Sequence, residues 1–195
     1  MNQILLIRHG KTDGNLRRAY IGSTDESLCQ EGIDQICSLS QQGLSASRII
    51  ASPMKRTVES ASILFPGQDP VTDPDLRETD FGAFEGKTAD EISADPELGP
   101  LYSEWLDTWC QGPVPGGEDV NSFKDRVCIA FERQMSLIPE GDPAAFVIHG
   151  GCIMAIMERF ALPHRDFYSY HIDNGAVIRC IWDGSHLEMT GGALC

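Results

Sequence analysis

The sequence predicts an α/β fold, a three-layer sandwich with a mainly parallel central sheet and helices on both faces. Two observations carry this expectation. Short apolar runs of strand length alternate along the chain with stretches that read as helices, and such alternation implies parallel strands covered by helices. No internal repeat, low-complexity tract or linker interrupts the pattern. The 195 residues suit one domain, residues 1–195, with room for a full core.

The elements follow in order. Residues 3–7 (QILLI) form a buried strand that ends at Arg8-His9-Gly10. Residues 31–44 read as a helix closed by a glycine. A second strand covers 48–51. Ser52-Pro53 then opens a helix to about Leu64, with serine as N-cap and proline at the first helical position. Residues 71–88 are turn-rich. A short helix is expected from about Pro100 to Trp109, and a longer one over 118–138. Residues 144–148 (AAFVI) make a third strand, followed by a helix over 151–160. Residues 176–182 and 187–190, joined by Asp183-Gly184, read as a closing hairpin.

Composition narrows the function. Hydrophobic residues make up 42% and charged residues 23%, the balance of a globular protein. No apolar run approaches membrane-span length, and the start carries no basic, cleavable leader, so the expected compartment is the cytoplasm. Seven scattered cysteines without a CxxC pair read as reduced thiols rather than a disulfide framework or zinc site. The net charge of −14 argues against nucleic acid and anionic membranes as partners. Yet residues 8–18 hold Arg8, Lys11, Arg17 and Arg18 against one acid, Asp13, and Lys55-Arg56 form a second basic pair. A locally positive site on an acidic protein suits a small anionic ligand.

In a parallel sheet, ligands bind beyond the carboxyl ends of the strands. The first strand delivers Arg8 and His9 to that rim. The second delivers Arg56, on the first turn of its helix, and the third delivers His149, followed by Gly150-Gly151. Two arginines, two histidines and helix N-termini with their free N–H groups converge there. This is an anion pocket read from pattern alone.

Five stretches in series also resemble a known family. They are Arg8-His9-Gly10-Lys11-Thr12 with Asn15 and the run Tyr20-Ile21-Gly22-Ser23-Thr24-Asp25; Ser52-Pro53-Met54-Lys55-Arg56-Thr57; Leu76-Arg77-Glu78 with Phe81-Gly82-Ala83-Phe84-Glu85-Gly86; Pro115-Gly116-Gly117-Glu118; and Val147-Ile148-His149-Gly150-Gly151. Their types and order, spanning residues 4 to about 157, resemble the histidine phosphatase (phosphoglycerate mutase-like) superfamily. The resemblance implies that His9 attacks phosphorus and carries the phosphoryl group as phosphohistidine. Arg8, Arg56 and a charged His149 would hold the phosphoryl oxygens. Glu78 would protonate the leaving oxygen and then deprotonate water. Asn15 adds a neutral donor, and Thr12, Gly22 and Gly150 join the phosphate-binding set. It implies no metal and no cofactor, since the arginines supply the charge.

Competing readings are specific. Arg56 could instead pair with Glu59 on its own helix, and Asp80 and Glu85 compete with Glu78, although Glu85 fits a role in supporting the loop. His164, His171 and His186 match no motif and read as structural or exposed. Two residues depart from the family pattern: Lys11, expected to alter charge at the pocket mouth, and Asp119, where a small hydroxyl residue is commoner.

The expected partner is a small phosphorylated metabolite. The compact length, residues 20–28 and residues 77–82 resemble the α-ribazole phosphatases of cobalamin biosynthesis, which remove a 5′-phosphate from a benzimidazole riboside. The alternatives are a broad-specificity phosphatase, a phosphoglycerate mutase-type phosphotransferase and a non-catalytic phospholigand-binding module. Residues 86–117 are expected to cover the site and set specificity. Tyr102, Trp105 and Trp109 lie at helical spacing there, either as a face packed on the core or with a ring stacked on an aromatic leaving group.

Overall fold

The computed structural model describes residues 1–192, so the cysteine at 195 lies outside the described residues. In chain order the elements are β1 (Asn2–Arg8), α1 (Asp13–Leu16), α2 (Gln30–Ser40), β2 (Arg48–Ala51), α3 (Lys55–Leu64), β3 (Val71–Thr72), α4 (Ala89–Ala94), α5 (Leu98–Asp107), α6 (Val120–Met135), β4 (Ala144–Ile148), α7 (Gly150–Phe160), β5 (Ala161–Leu162), β6 (Val177–Trp182) and β7 (Leu187–Gly191). The strands form one sheet in the order β3-β2-β4-β1-β6-β7-β5. β1, β4, β2 and β3 pair in parallel, and only β6 runs against its neighbours.

The central strands β1 and β4 are continuous apolar runs because both their faces are covered. All five residues of β4 are buried. On one face, Phe123, Val127 and Phe131 of α6 pack with Ile153, Ile156 and Phe160 of α7 against Ile4, Leu6 and Phe146. On the other, Ile36 and Leu39 of α2 and Ala61 and Leu64 of α3 pack against Ile7, Ile49 and Val147. The three expected layers are thus present. A third, smaller cluster joins Ile92, Tyr102, Trp105 and Val114 of the covering segment to Phe84 just before it. No helix among the described residues is long and apolar enough to cross a membrane.

Several boundaries differ from the expectation. Ser52-Pro53 does not open α3: Met54 is the N-cap and the helix starts at Lys55. The reason is tertiary, because the Lys55 N–H is capped from a distant loop by Asp25 Oδ1 at 2.8 Å. The helix expected over 31–44 ends at Ser40, where two glutamines turn into Gly43 at φ +67°. The closing hairpin meets its turn at the expected residues, Trp182 and Leu187, and residues 183–186 are held by Asp183 Oδ1 accepting from the Ser185 and His186 N–H groups. α4 and the two-residue β5 were not foreseen. α4 did carry a local signal, the reciprocal Thr88–Glu91 capping box.

Candidate active site

The strand order sets β2, β4 and β1 side by side, and their carboxyl ends meet in register, Arg8 opposite Ile148 and Ala51 opposite Val147. The polar side chains that follow these ends are sunk beneath the surface: Arg56 and His149 are 0% exposed and His9 is 4% exposed. His9 and His149 meet edge to face, with ring centroids 5.2 Å apart.

The tautomer of His9 follows from its partner. Its Nδ1 lies 2.7 Å from the Gly10 carbonyl oxygen, which can only accept, so Nδ1 carries the proton and Nε2 keeps its lone pair. Burial, reinforced by the Arg56 and Arg8 charges, holds the His9 pKa well below the usual imidazole range. Burial and the charges of Arg56, His9 and Arg8 do the same to His149. Both rings are therefore neutral near pH 7.

Arg56 is locked by its loop. Its Nη1 donates to the Thr24 carbonyl at 2.7 Å and its Nη2 to the Gly22 carbonyl at 2.9 Å. Its Nε and both ring nitrogens of His149 are buried without a hydrogen-bond partner among the described residues. Buried polar atoms left unpaired are costly. The alternative pairing of Arg56 with Glu59 does not occur: Glu59 Oε2 accepts from the Leu28 N–H at 2.7 Å. Arg8 donates from Nη1 to the Ile172 carbonyl at 2.7 Å and reaches the cavity wall.

Glu78 faces the same cavity. Its Oε2 accepts from the Gly151 N–H at 2.9 Å and its Oε1 from the Thr79 N–H at 3.0 Å. Burial raises its pKa, opposed first by these two N–H bonds and then by Arg8 and Arg56. A Cβ at position 151 would push Glu78 Oε1 aside. One N–H of the α7 N-terminus is thus spent on the acid, whereas Gly150 lines the cavity at the first helical position.

Above this floor opens a cavity of about 370 Å³. Its walls include Tyr20, Phe81, Trp105, Val114, Phe123 and Met154, with Tyr168 and His171 at another side. Residues 86–117 supply part of this cover, Trp105 included. Trp109 is 77% exposed and does not line the cavity.

A model of the histidine phosphatase superfamily (branch 1) matches residues 4–191. The chain belongs to the histidine phosphatase superfamily. Among curated relatives, the probable phosphoglycerate mutase GpmB of Salmonella choleraesuis is 32% identical over 162 residues, covering 80% of this chain and 74% of that protein. Among solved structures, the α-ribazole phosphatase from Shigella flexneri superposes with a TM-score of 0.84 at 24% identity, covering 96% of this chain and 94% of that one. A phosphoglycerate mutase from Thermus thermophilus gives 0.72 at 26% identity, over 99% of this chain and 98% of that one.

Within this histidine phosphatase fold, Arg8, His9, Arg56, Glu78 and His149 lie close enough to act on one another's charge; Arg8, Glu78 and Asn15 line the cavity, whereas His9, Arg56 and His149 are buried behind its lining. Two expected phosphate ligands do other work. Thr12 is 0% exposed and caps α1, its Oγ1 accepting from the Asn15 N–H at 3.3 Å. Gly22 spends its N–H on Glu85 Oε1 at 2.9 Å and its carbonyl on Arg56. Glu85 also accepts from the N–H groups of Ser23 and Phe81, so it holds the loop that holds Arg56. Lys11 turns to Glu31 at 2.5 Å and does not line the cavity. Asp119 N-caps α6, its Oδ1 accepting from the Ser122 N–H at 2.8 Å, a task a hydroxyl residue could also perform.

Three contributors had no motif. His171, read as structural or exposed, is exposed but lies on the cavity wall. Asn174 donates from Nδ2 to Asn15 Oδ1 at 3.3 Å and to the His9 carbonyl at 3.2 Å. Arg126 of α6 supports the segment that carries Glu78.

Proposed function

We propose that this protein is a phosphomonoesterase that passes the phosphoryl group of a small metabolite through His9 to water. The observation that carries this is the His9 ring: Nδ1–H committed to the Gly10 carbonyl, and Nε2 left as a neutral nucleophile beside Arg56 and Arg8. Nε2 attacks phosphorus, the bond to the ester oxygen breaks, and Glu78 gives that oxygen its proton. The resulting carboxylate then takes a proton from water as the water oxygen displaces Nε2. Arg8, Arg56, Gly150 N–H and the Asn15 amide hold the phosphoryl oxygens. Asn174 supports the role of Asn15, because occupying Oδ1 turns Nδ2 toward the ligand. His149, neutral in the surroundings described, gains a proton once the phosphoryl dianion offsets the arginine charges.

Hydrolysis is favoured over mutase-type transfer by the wall above the floor. A bisphosphorylated intermediate needs a second cationic cluster, whereas the basic residues lining this cavity, among those described, are Arg8 and His171, set against Glu78, Asp80 and Glu118. The aromatic and aliphatic walls suit an apolar leaving group, and the benzimidazole riboside of α-ribazole 5′-phosphate is the candidate we favour. The six described cysteines are free thiols, in keeping with a cytoplasmic enzyme.

The test is phosphate release from α-ribazole 5′-phosphate, p-nitrophenyl phosphate and 3-phosphoglycerate by wild type and His9→Ala. We expect a strong preference for the riboside and a loss of about 10⁴-fold or more in the variant. Equal slow turnover of all three would replace the riboside reading with a broad-specificity one. Isomerised phosphoester instead of free phosphate would identify a mutase. Turnover that survives in His9→Ala would remove the mechanism.

A further inference from the structure

Arg126 sits on the second turn of α6, outside the cavity lining. A guanidinium has five N–H bonds, and here every one finds an acceptor. Nε and Nη2 grip the two carboxylate oxygens of Glu118, each at 2.7 Å. Nη1 donates to the carbonyls of Asp75 and Arg77, both at 2.8 Å, and Nη2 also to the Glu78 carbonyl at 3.1 Å. The plane rests against the Phe123 ring, 5.1 Å from its centroid, and Phe123 forms part of the cavity wall. With its donors saturated and one face packed, the group has a single orientation.

What it joins is functional. Three of the five bonds pin the backbone from Asp75 to Glu78, and the other two hold Glu118 at the foot of the covering segment. Glu118 closes the frame by donating its N–H to the Asp80 carbonyl at 2.9 Å. We propose that Arg126 is the positioning residue for the general acid, fixing the backbone that carries Glu78 and tying the foot of the cover to the same frame. A proton donor must stand within about 2.6–3.2 Å of the leaving oxygen, and a misplacement of about 1 Å can cost about 10²-fold. The carboxylate contacts to Gly151 and Thr79 orient the end of the side chain, and Arg126 sets where its backbone begins. This inference rests on Glu78 acting as the acid.

The experiment compares kcat/KM for n-propyl phosphate, a poor leaving group that needs the acid, with 2,4-dinitrophenyl phosphate, which departs without a proton. The ratio of the two on one sample is independent of the fraction folded. We expect Glu78→Gln to lose about 10²-fold or more on the propyl ester and far less on the dinitrophenyl ester. Arg126→Met should show the same signature at about 10²-fold, and Arg126→Lys, which keeps charge and three donors, should recover part of the loss. Glu118→Gln, a milder change, should give the signature at about tenfold. In a Glu78→Gln background, Arg126→Met should add less than about threefold, because coupled residues are not additive.

Equal losses on both esters in Arg126→Met and Glu118→Gln, or losses that multiply in the double variant, would overturn the positioning role while leaving Glu78 as the acid. Equal losses on both esters in Glu78→Gln would instead remove Glu78 from the acid role, and this proposal with it.

Discussion

The phosphate floor and the cover above it are built by opposite rules. The floor is polar and assembled at the ends of three adjacent strands, where His9, Arg56 and His149 pack with almost no access to water and Arg8, half-buried, reaches the cavity wall. The cover is largely apolar. Its ring cluster of Tyr20, Phe84, Tyr102 and Trp105 packs with centroids 5.5–6.4 Å apart and is tied by a 2.8 Å hydroxyl contact between Tyr20 and Tyr102. On the proposed mechanism, the floor performs chemistry common to any phosphomonoester and the cover meets whatever the phosphate is attached to. Charge that must not rearrange is held by rigid strand ends and backbone bonds; shape is left to side chains that can be exchanged at modest cost.

That division can be broken at either end. The largest effect is expected from Arg56→Ala, which removes a phosphate donor and leaves the Gly22 and Thr24 carbonyls without theirs. We expect kcat/KM to fall by about 10²–10³-fold, and by a similar factor on riboside, aryl and alkyl phosphates. A loss confined to one ester would show that the floor also reads the leaving group. Trp105→Leu tests the other end. Steady-state rates should fall up to about tenfold for α-ribazole 5′-phosphate, the range of an aromatic contact, and hardly for an alkyl phosphate. Equal losses would return Trp105 to a packing role alone.

The smallest effect sharpens the electrostatics. Burial raises the Glu78 pKa in the folded protein, so around and above its ordinary pKa the folded state holds a proton that the unfolded chain has lost. Stability from this group is fully present below the unfolded pKa and declines as pH rises through the folded one. Glutamine carries no such charge. The Tm difference between Glu78→Gln and wild type should therefore move in the variant's favour between pH 4 and pH 8, by a few degrees for a chain of this size. Thermal melts at the two pH values measure it, and a difference that is flat or reversed would mean the carboxylate is not penalised by its site.

Much of the floor was legible because its residues lie immediately after apolar strands, where a linear pattern and the strand-end rule are enough. Its supports were not. Glu85 holds the loop that holds Arg56, and Asn174 reaches Asn15 across 159 residues. Arg126 binds carbonyls 48–51 residues away. No period or motif encodes such contacts, since each depends on which loops the fold brings together. The start of α3 teaches the same lesson: Ser52-Pro53 is a sound local start signal, and Asp25 from another loop overrides it.

The sequence by itself determined the layered α/β architecture and the placing of Arg8, His9, Arg56 and His149 beyond the carboxyl ends of adjacent strands, because strand patterning and short motifs are local properties of the chain. Only the tertiary structure decided that Thr12 and Gly22 serve the scaffold, that Trp105 and not Trp109 faces the cavity, and that His9 carries its proton on Nδ1. Each of these depends on a hydrogen-bond partner or a packing neighbour, and such partners exist only once distant segments have met.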